Sequence, residues 1–511
     1  MNWQHRITSA GARYRGTEPT QHYEPEGGLA LMRNKPGLAA IGVAIGELPL
    51  PAQLVYPLVN YSRQTVKPFC NIGDSVKSGD LLATGIIATA NGTISAIEPK
   101  PVIHPSHQLV PSIVLDVDGL TYEHSQSLEP IDSLDLDRLK RACISGLGGA
   151  GFSTASKLKK AKQHNARIHT LLVNAVECEP LISCDEALIR SDAHSVIKAI
   201  GSMIKLSDCT RCIVAIEHDK VEAIATLNDA IGASEANSDV PIEFVQLSPI
   251  YPSGAEKVLV QRITGKLLAA DERASDLGVL CLNVATVVAA WRAQAGYPLI
   301  SRIVTVAGNK AIKTTNVRVR IGTPVAEVLE LTGNATVKNQ TRIRVGGPLS
   351  GFDLQDLSVP VTATTNCIAI ESAALKTEAV ACIRCGQCSE VCPVNLIPQQ
   401  IFWHASADDI DGAHRFGLDN CLECGCCDLV CPSSIELTSL FRYARASWRE
   451  QQHHKHEAIV ARERFEQREA RLASRELESQ RLREEKKLQL SADSDPIADA
   501  LARARARKKK R

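Results

Sequence analysis

Cysteines crowd into two short segments in the last third of the chain. Residues 382–393 read CIRCGQCSEVCP, and residues 421–432 read CLECGCCDLVCP. Each segment contains the spacing C-x2-C-x2-C-x3-C followed by proline. Three thiolates on so tight a loop can bind three metal atoms of one polynuclear cluster, while the fourth cysteine can reach a second cluster. The repeated pattern therefore predicts two metal clusters that share their ligands.

This spacing is typical of bacterial ferredoxins with two clusters, in which the fourth cysteine of each run binds the cluster of the other run. The pattern predicts one [4Fe–4S] cluster on Cys382, Cys385, Cys388 and Cys431, and a second on Cys421, Cys424, Cys427 and Cys392. Cys426 is then the surplus cysteine of the second run. We interpret it as a small packed side chain or as a sulfur near the cluster.

Disulfides and zinc explain these cysteines less well. The first residues, MNWQHRITSAGARYRG, contain no apolar segment followed by a small-residue cleavage site, so we expect a cytoplasmic protein. Thiols stay reduced in that compartment, and the 17 cysteines are therefore not interpreted as disulfides. Zinc binds paired C-x2-C units, but it leaves the repeated third and fourth cysteines and both prolines unexplained.

A glycine-rich loop lies upstream of the cysteines. Residues 141–160 read RACISGLGGAGFSTASKLKK, in which closely spaced glycines precede a helix-like segment. Glycines allow a phosphate to approach the backbone, and the free N–H groups at a helix N-terminus attract it. A plain turn is the alternative. The loop by itself is a candidate phosphate site that needs further support.

Support comes from the apolar segment that follows. Residues 168–180 read IHTLLVNAVECEP, a predicted strand that ends in Asn174, Glu177 and Glu179. Open α/β sheets bind ligands at the carboxyl ends of their strands, where these side chains can hydrogen-bond a ribose or an isoalloxazine ring. Solvated loop acids are the alternative interpretation.

Together these motifs resemble a known family. GLGGAGFSTASKL followed by NAVECEP resembles the flavin- and NADH-binding region of the flavoprotein subunit of respiratory complex I. From about residue 25 to 445 the chain more closely resembles the RnfC subunit of the Rnf complex, the ion-translocating oxidoreductase of bacterial inner membranes. The likeness includes YPSGAEKVL at 251–259, NVAT at 283–286, VGGPLSG at 345–351, TNC at 365–367 and the CGCC with its extra cysteine.

The resemblance implies that the chain binds FMN and NADH. It places four residues around the flavin phosphate: Gly148, Gly149, Gly151 and Lys157. It places Phe152 and Glu179 on the nicotinamide side, and Asn174, Glu177 and Asn283 near the flavin. The sequence departs from the family at Ser153, where a proline is usual, and at Val176, where the complex I relatives have an acidic residue. Neither change removes a phosphate donor.

The composition excludes several classes of function. A net charge of +1 argues against a whole-protein field that recruits nucleic acid or anionic lipid. Aromatic residues make up 4% of the chain, too few to suggest stacking platforms for single strands. The apolar run Gly278–Trp291 is shorter than the ~20 residues that a membrane-spanning helix needs. We therefore expect neither nucleic-acid binding nor a spanning segment.

We predict a multidomain α/β and α+β chain. Its parts are an N-terminal extension (1–49), a small biotinyl/lipoyl-type β-sandwich (50–125), a Rossmann-like FMN/NADH domain (126–300), a β-grasp, SLBB-like module (301–352), a helical double [4Fe–4S] ferredoxin-type domain (365–445) and a charged helical or disordered tail (446–511). The β-sandwich is interpreted as structural, because its turn ATANGT offers no lysine for a swinging arm.

Two of these parts allow more specific predictions. The β-grasp module should contain one short helix, Val325–Leu331. The tail is rich in Glu, Arg and Gln with few apolar positions, which predicts a solvated helix with i,i+4 charge pairs. Its basic end, ARARARKKKR, is either a solvated terminus or a contact with anionic lipid.

The resulting hypothesis is an electron-entry subunit at the cytoplasmic face of a bacterial inner membrane, bound peripherally through partners. NADH would reduce FMN, and electrons would pass through two [4Fe–4S] clusters to a neighbouring iron–sulfur subunit of an Rnf-type complex. One alternative is a soluble NADH-dependent cobalamin (corrin) reductase built from the same modules. Another is a non-catalytic scaffold that only holds clusters.

Overall fold

The computed structural model describes residues 27–31, 44–60, 64–119, 127–163, 167–233, 240–270, 272–335, 341–373, 378–492 and 496–509. Most of the extension predicted for 1–49 lies outside these ranges. Two short strands are described within it, β1 (Leu29–Ala30) and β2 (Gly46–Glu47). Both pair with strands of later parts of the chain, so this region is tied into the body of the protein.

An all-β unit follows the extension. Its strands are β3 (Gln53–Pro57), β4 (Ser75–Val76), β5 (Leu81–Ala83), β6 (Ile86–Ile87), β7 (Gly92–Pro101) and β8 (Leu109–Val117). Strands β3, β8, β7 and β4 form an antiparallel sheet in that order, and β5 pairs with β6 as a separate hairpin. Their apolar side chains, among them Leu54, Ile94 and Leu115, point into one core.

A parallel α/β domain carries the glycine-rich loop. Its strands are β9 (Thr170–Ala175), β10 (Arg211–Glu217), β11 (Ile242–Leu247) and β13 (Val279–Asn283); the short β12 (Ile250–Tyr251) pairs with β1 instead. The sheet order is β11-β10-β9-β13, with every pair parallel. These strands are runs of Leu, Ile, Val and Cys without polar alternation, as expected for a sheet covered on both faces.

Seven helices surround this sheet within the described ranges. They are α1 (Leu136–Arg141), α2 (Thr154–Gln163), α3 (Cys184–Ser191), α4 (Ala193–Ser207), α5 (Val221–Ala233), α6 (Glu256–Thr264) and α7 (Val284–Gln294). Helices α2, α4 and α7 bury apolar residues in a core on one face, and α6 does so on the other. The glycine-rich loop leads into α2, and the predicted strand after it is β9.

A six-stranded sheet packs next to this domain. It comprises β2 and the strands β14 (Ser301–Ala307), β15 (Thr315–Arg320), β16 (Thr341–Val345), β17 (Phe352–Leu354) and β18 (Cys367–Ser372), with one helix, α8 (Val325–Leu331), at the predicted bounds. The order is β17-β16-β18-β14-β15-β2. Strand β18 lies in the range predicted for the cluster domain, but it inserts between β16 and β14, where its first four residues are buried.

The cysteine runs lie in a small helical unit. Its helices are α9 (Gln387–Glu390), α10 (Pro398–Ser406), α11 (Ile410–Arg415), α12 (Cys426–Leu429) and the beginning of α13 (Leu437–Ala492). Ile401, Ala413, Leu418 and Phe441 form its core, and cysteines of both runs pack against them. This core is small, so bound clusters would add substantially to the stability of the unit.

The tail is helical and exposed, as predicted. Helix α13 continues to Ala492 and is followed by α14 (Pro496–Lys508). Even apolar side chains such as Ile459, Phe465 and Leu472 are at least half exposed. Arg462 pairs with Glu466 one turn later at 2.8 Å. Among the helices of the described ranges, we find none with the length and apolar character needed to cross a membrane.

Candidate cofactor sites

The two cysteine runs fold into loops of the same conformation. Three matching positions have left-handed backbone: Arg384, Gly386 and Asn395 in the first loop, and Glu423, Gly425 and Ser434 in the second. Each loop leads into a four-residue helix, α9 or α12. The second residue of each helix is a predicted ligand, Cys388 or Cys427. The first is Gln387 in one helix and Cys426 in the other, so Cys426 occupies a position where the first loop has no cysteine.

The four cysteines assigned to the first cluster line one cavity. Cys382, Cys385 and Cys388 come from the first run and Cys431 from the second. Sulfurs far apart in sequence therefore converge on one space, as the interleaved pattern requires. Cys385 is exposed, so this site lies close to the protein surface. The arrangement fits a cluster with four thiolate ligands.

The second set is more deeply buried. Burial raises the pKa of the Cys421 thiol to about 12 and also raises the pKa of the Cys427 thiol. Thiols in such surroundings keep their protons at neutral pH unless a metal ion displaces them. Backbone N–H groups donate to two of the sulfurs, Leu396 to Cys392 at 3.3 Å and Glu423 to Cys421 at 3.4 Å. Such hydrogen bonds tune iron–sulfur clusters, and the environment fits iron-bound thiolates.

Cys426 is a packed neighbour of the second set. It is 1% exposed, and its thiol forms a hydrogen bond with the sulfur of Cys424. That contact lowers the pKa of the Cys424 thiol. The surplus cysteine therefore lies beside a predicted ligand without occupying a ligand position of the repeated loop.

The glycine-rich loop closes on itself in front of α2. The Gly146 N–H donates to the Phe152 carbonyl at 2.8 Å, and the Gly151 N–H donates to the Gly146 carbonyl at 3.2 Å. Gly149 has a φ of +107°, and a Cβ at this position would project into open space. The loop thus presents bare backbone beside a helix N-terminus, which suits a phosphate. The phosphate group of FMN fits this geometry.

Two other members of the predicted phosphate group pack nearby. A Cβ on Gly148 would lie 3.2 Å from the Cβ of Asn283, so the loop touches the end of β13. Lys157, on α2, donates from Nζ to Glu256 Oε2 and to the Cys281 carbonyl, both at 2.7 Å. Glu256, which the sequence motifs did not single out, therefore balances the charge of this lysine.

Two predicted asparagines lie side by side at the carboxyl edge of the sheet. Asn174 on β9 and Asn283 on β13 are paired in the parallel register. The Asn174 side chain donates to the Gly254 carbonyl at 2.8 Å, and the Asn283 side chain accepts from the Ala285 N–H as the N-cap of α7. Both amides therefore shape the edge at which α/β sheets bind ligands.

Glu177 is buried at the N-terminus of α3. Its carboxylate accepts from the Cys184 thiol at 3.3 Å and from the Asp185 and Glu186 N–H groups at 3.0 and 3.3 Å. The positive end of the helix stabilises this charge. Burial, together with the charge of Glu177, raises the pKa of Asp185 to about 7. The acid predicted to lie near the flavin thus has partners within the protein.

Glu179 is held by the VGGPLSG segment. It is 9% exposed, and it accepts from the Leu349 N–H at 2.8 Å and from the N–H and hydroxyl of Ser350 at 3.2 and 3.1 Å. Burial raises its pKa against the effect of these hydrogen bonds. A Cβ on Gly347 would lie 1.9 Å from the Glu179 Cγ, so this close approach requires glycine.

A buried lysine compensates several of the acids behind this edge. Lys220 is 5% exposed and its ammonium donates to Glu186. Burial alone lowers the pKa of Lys220, but the nearby carboxylates of Glu177, Glu186 and Glu217 together raise it above its usual value. No spacing in the sequence marks this lysine, because its partners come from three separate segments.

Replacing Lys220 by methionine is expected to destabilise the protein by about 3–5 kcal/mol, because buried carboxylates lose their counter-ion. Lys140→Met is the matched control: Lys140 pairs with Asp137 at the surface, with side chains 53% and 84% exposed, and such pairs contribute about 0–1 kcal/mol. Urea unfolding followed by circular dichroism compares the two midpoints. Equal shifts in both variants would contradict the buried network.

The flavin edge also contacts the second cysteine loop. The Tyr251 hydroxyl donates to the Cys424 carbonyl at 2.7 Å. A Cβ on Gly425 would lie 2.6 Å from the Leu349 carbonyl oxygen, so these segments touch. YPSGAEKVL and VGGPLSG were recognisable in the sequence only as parts of a resemblance. Their contact with the cysteine loop is a feature of the tertiary structure alone.

A separate cavity of about 490 Å³ lies between α3, α4, α7 and β14. Asp185, Arg302 and Tyr297 contribute to its wall. The nine predicted flavin and nicotinamide residues, which all belong to the described ranges, lie outside that wall. This cavity is therefore distinct from the edge formed by the glycine loop and the two asparagines.

Three family models match the chain. The model described as the Nuo51 FMN-binding domain matches residues 139–292, and the 4Fe-4S dicluster domain matches residues 381–435. The model of the RnfC barrel sandwich hybrid domain matches residues 24–120. All predicted flavin residues fall within the first match, and all predicted cluster ligands fall within the second.

Several curated relatives are named as the RnfC subunit of an ion-translocating oxidoreductase complex. The protein of Pseudomonas aeruginosa is 41% identical over 87% of this chain and 58% of its own length. That of Vibrio cholerae is 38% identical over 90% of this chain and 61% of its own length. That of Haemophilus influenzae strain PittEE is 37% identical over 84% and 67%. The chain thus spans about three-fifths of the length of the first two relatives.

Among solved structures, a chain of an NAD+-reducing [NiFe]-hydrogenase in the H2-reduced state is similar over 53% of this chain and 49% of that chain. The sequence identity is 16% and the TM-score is 0.42, a level that does not define a shared fold.

The family assignment therefore rests on the curated relatives and on the domain models. The relative from Haemophilus influenzae strain PittEE is matched over two thirds of its own length. Both cofactor domains of the chain are matched where the structure shows a fitting site. The chain belongs to the RnfC family of ion-translocating oxidoreductase complex subunits, and its cofactors are FMN and two [4Fe–4S] clusters.

Proposed function

We propose that this chain is the electron-entry subunit of a membrane-bound, ion-translocating oxidoreductase complex, with NADH as the electron donor. FMN, when bound, converts the two-electron chemistry of NADH into the single-electron transfers that [4Fe–4S] clusters accept. Partner subunits, among them an iron–sulfur subunit, take the electrons from the clusters and couple their transfer to ion movement. The family of the chain and the two kinds of cofactor site on one polypeptide support this proposal.

The observation that carries the proposal is the contact between the flavin edge and the second cysteine loop. Tyr251, at the end of β12, donates to the carbonyl of Cys424 at 2.7 Å. Leu349, whose N–H is bound by Glu179, lies against Gly425. The residues assigned to the flavin and nicotinamide are therefore continuous with one cluster site, as direct electron transfer between them requires.

The two cysteine sites differ in exposure, which indicates an order of transfer. The second site faces the flavin edge and is buried. At the first site Cys385 is exposed, and the neighbouring side chains of Ile383 and Leu429 are 66% and 57% exposed. We infer a route from the flavin to the second cluster, then to the first cluster, and from there to the partner.

The residues of the flavin edge have separate tasks in this proposal. The bare backbone at Gly149 and the N-terminus of α2 bind the phosphate of FMN. The paired Asn174 and Asn283 orient the flavin at the carboxyl edge of the sheet. Phe152 and Glu179 form the nicotinamide side. The burial of Glu179 excludes water from that side.

The other modules have supporting tasks in the proposal. We assign the all-β unit to the biotinyl/lipoyl type, supported by its antiparallel sheet and separate hairpin. We assign the six-stranded sheet with its single helix α8 to the β-grasp type, which braces the flavin domain against the cluster domain. Attachment to the cytoplasmic face of the inner membrane is through partner subunits.

The proposal is tested on the anaerobically purified chain reconstituted with FMN, iron and sulfide. Addition of NADH is expected to bleach the flavin absorbance and to produce the low-temperature EPR signals of reduced cubane clusters. Bound flavin that NADH does not bleach would refute NADH entry and leave a scaffold that only holds clusters. Full recovery in the soluble fraction of cells with intact partners would instead favour a soluble reductase.

A further inference from the structure

One tyrosine joins the flavin domain to the second cysteine loop. Tyr251 is 3% exposed and lies at the end of β12. Its hydroxyl donates to the backbone carbonyl of Cys424 at 2.7 Å. The same hydroxyl lies within hydrogen-bonding reach of the Glu179 carboxylate, the residue assigned to the nicotinamide side. A single phenol therefore contacts both an acid of the flavin edge and the backbone of a predicted cluster ligand.

The surroundings hold this phenol rigidly. Glu179 is fixed from the opposite side by the Leu349 and Ser350 N–H groups at 2.8 and 3.2 Å. Arg442, on α13, donates to the Ser350 carbonyl at 3.1 Å, which ties the same turn to the cluster domain. The turn and the tyrosine thus connect the two domains by separate hydrogen bonds.

Glycines permit the close approach of these segments. A Cβ on Gly347 would lie 1.9 Å from the Glu179 Cγ, and a Cβ on Gly425 would lie 2.6 Å from the Leu349 carbonyl oxygen. Gly425 also has a φ of +73°, which L side chains rarely adopt. The junction is packed so tightly that one added methyl group on either side must displace backbone or the Glu179 side chain.

We propose that Tyr251 is a positioning residue for electron transfer between the flavin and the second cluster. Its hydroxyl fixes the Cys424 carbonyl, and with it the Cys424 sulfur, at a set separation from the Glu179 side of the flavin edge. This inference rests on the proposed function and adds to it the residue that sets the distance for one step. Transfer rates depend steeply on such placement, and a displacement of about 1 Å can cost about 100-fold.

The test compares Tyr251→Phe with Tyr56→Phe. Tyr56 is also 3% exposed, and its hydroxyl is hydrogen-bonded to Thr89 at 2.9 Å, but it lies in the all-β unit. Both variants lose one buried phenol hydroxyl and keep the ring. In stopped-flow mixing with NADH, the rate of cluster reduction relative to flavin bleaching is expected to fall about tenfold in Tyr251→Phe and to stay unchanged in Tyr56→Phe.

A second measurement does not depend on turnover. Hydrogen–deuterium exchange of the cluster-loaded protein without NADH is expected to accelerate at 346–351 and 421–427 in Tyr251→Phe alone. Gly347→Ala disturbs the same junction from the Glu179 side, and it is expected to lower the same rate ratio. It serves as the second variant if Tyr251→Phe does not retain its clusters.

Each outcome decides the matter. An unchanged rate ratio with unchanged exchange in Tyr251→Phe would overturn the inference, as would an equal effect in Tyr56→Phe. Slower flavin bleaching with a constant ratio would place Tyr251 in the hydride step and overturn it too. If NADH does not bleach the flavin of the unaltered chain, the proposed function fails, and unchanged exchange at the junction would then reject the positioning role independently.

Discussion

Replacing Cys388 by alanine is expected to lower the iron content of the anaerobically purified chain from about eight to about four atoms. Cys388 lines the cavity that also contains Cys382, Cys385 and Cys431, and without it one iron of a cubane has no thiolate. The first loop offers no replacement sulfur, since the residue before Cys388 is Gln387. Iron analysis and the EPR spectrum of the chemically reduced protein measure the loss.

Cys426→Ala is the matched control for this experiment. Cys426 corresponds to Gln387 in the repeated loop, and its thiol contacts the sulfur of Cys424 from a position where the first loop has no ligand. This variant is expected to retain about eight iron atoms. Loss of half the iron in Cys426→Ala, with retention in Cys388→Ala, would overturn the ligand assignment.

The same variant tests the order of the clusters. In Cys388→Ala the second site remains intact beside the flavin edge, so NADH is expected to reduce its cluster at the normal rate. Removing a ligand of the second site, as in Cys424→Ala, is expected to prevent reduction of the first cluster by NADH. Rapid-freeze EPR separates the two cases. The opposite pattern would show that electrons leave the flavin through the first cluster.

Replacing Gly149 by alanine is expected to reduce the flavin content of the purified protein to less than about a tenth, with the fold retained. Gly149 has a φ of +107°, and the space where a Cβ would project is open. That space is where the phosphate of FMN approaches the backbone in the assignment made above, so a methyl group both strains the loop and blocks the ligand. Flavin fluorescence after denaturation measures the bound fraction.

The control is Gly73→Ala in the all-β unit. Gly73 has a φ of +93°, and a Cβ there would also meet no atom within 4 Å, so the backbone strain is comparable. This variant is expected to bind flavin normally and to show a similar small loss of stability. Equal flavin contents in Gly149→Ala and Gly73→Ala would mean that the glycine-rich loop is a plain turn.

Much of the candidate site was predictable from short-range patterns. The cysteine spacing indicated an interleaved ligand set, and the structure brings Cys431 into one cavity with the three cysteines of the other run. The glycine loop, the following helix and strand β9 were also predictable, because each depends on neighbours along the chain. Less predictable were the partners of the acids: Glu177 lies at the N-terminus of α3, and Glu179 lies in the turn at 347–350.

The sequence by itself determined the local elements of this protein. The cysteine loops, the bounds of helix α8 and the solvated tail helix all depend on residue type and spacing within a few turns of chain. Only the tertiary structure decided that strand β18 joins the six-stranded sheet and that Tyr251 meets Cys424 across 173 residues. The physical reason is that such pairings depend on burial and hydrogen bonding between distant segments, for which no local spacing provides a signal.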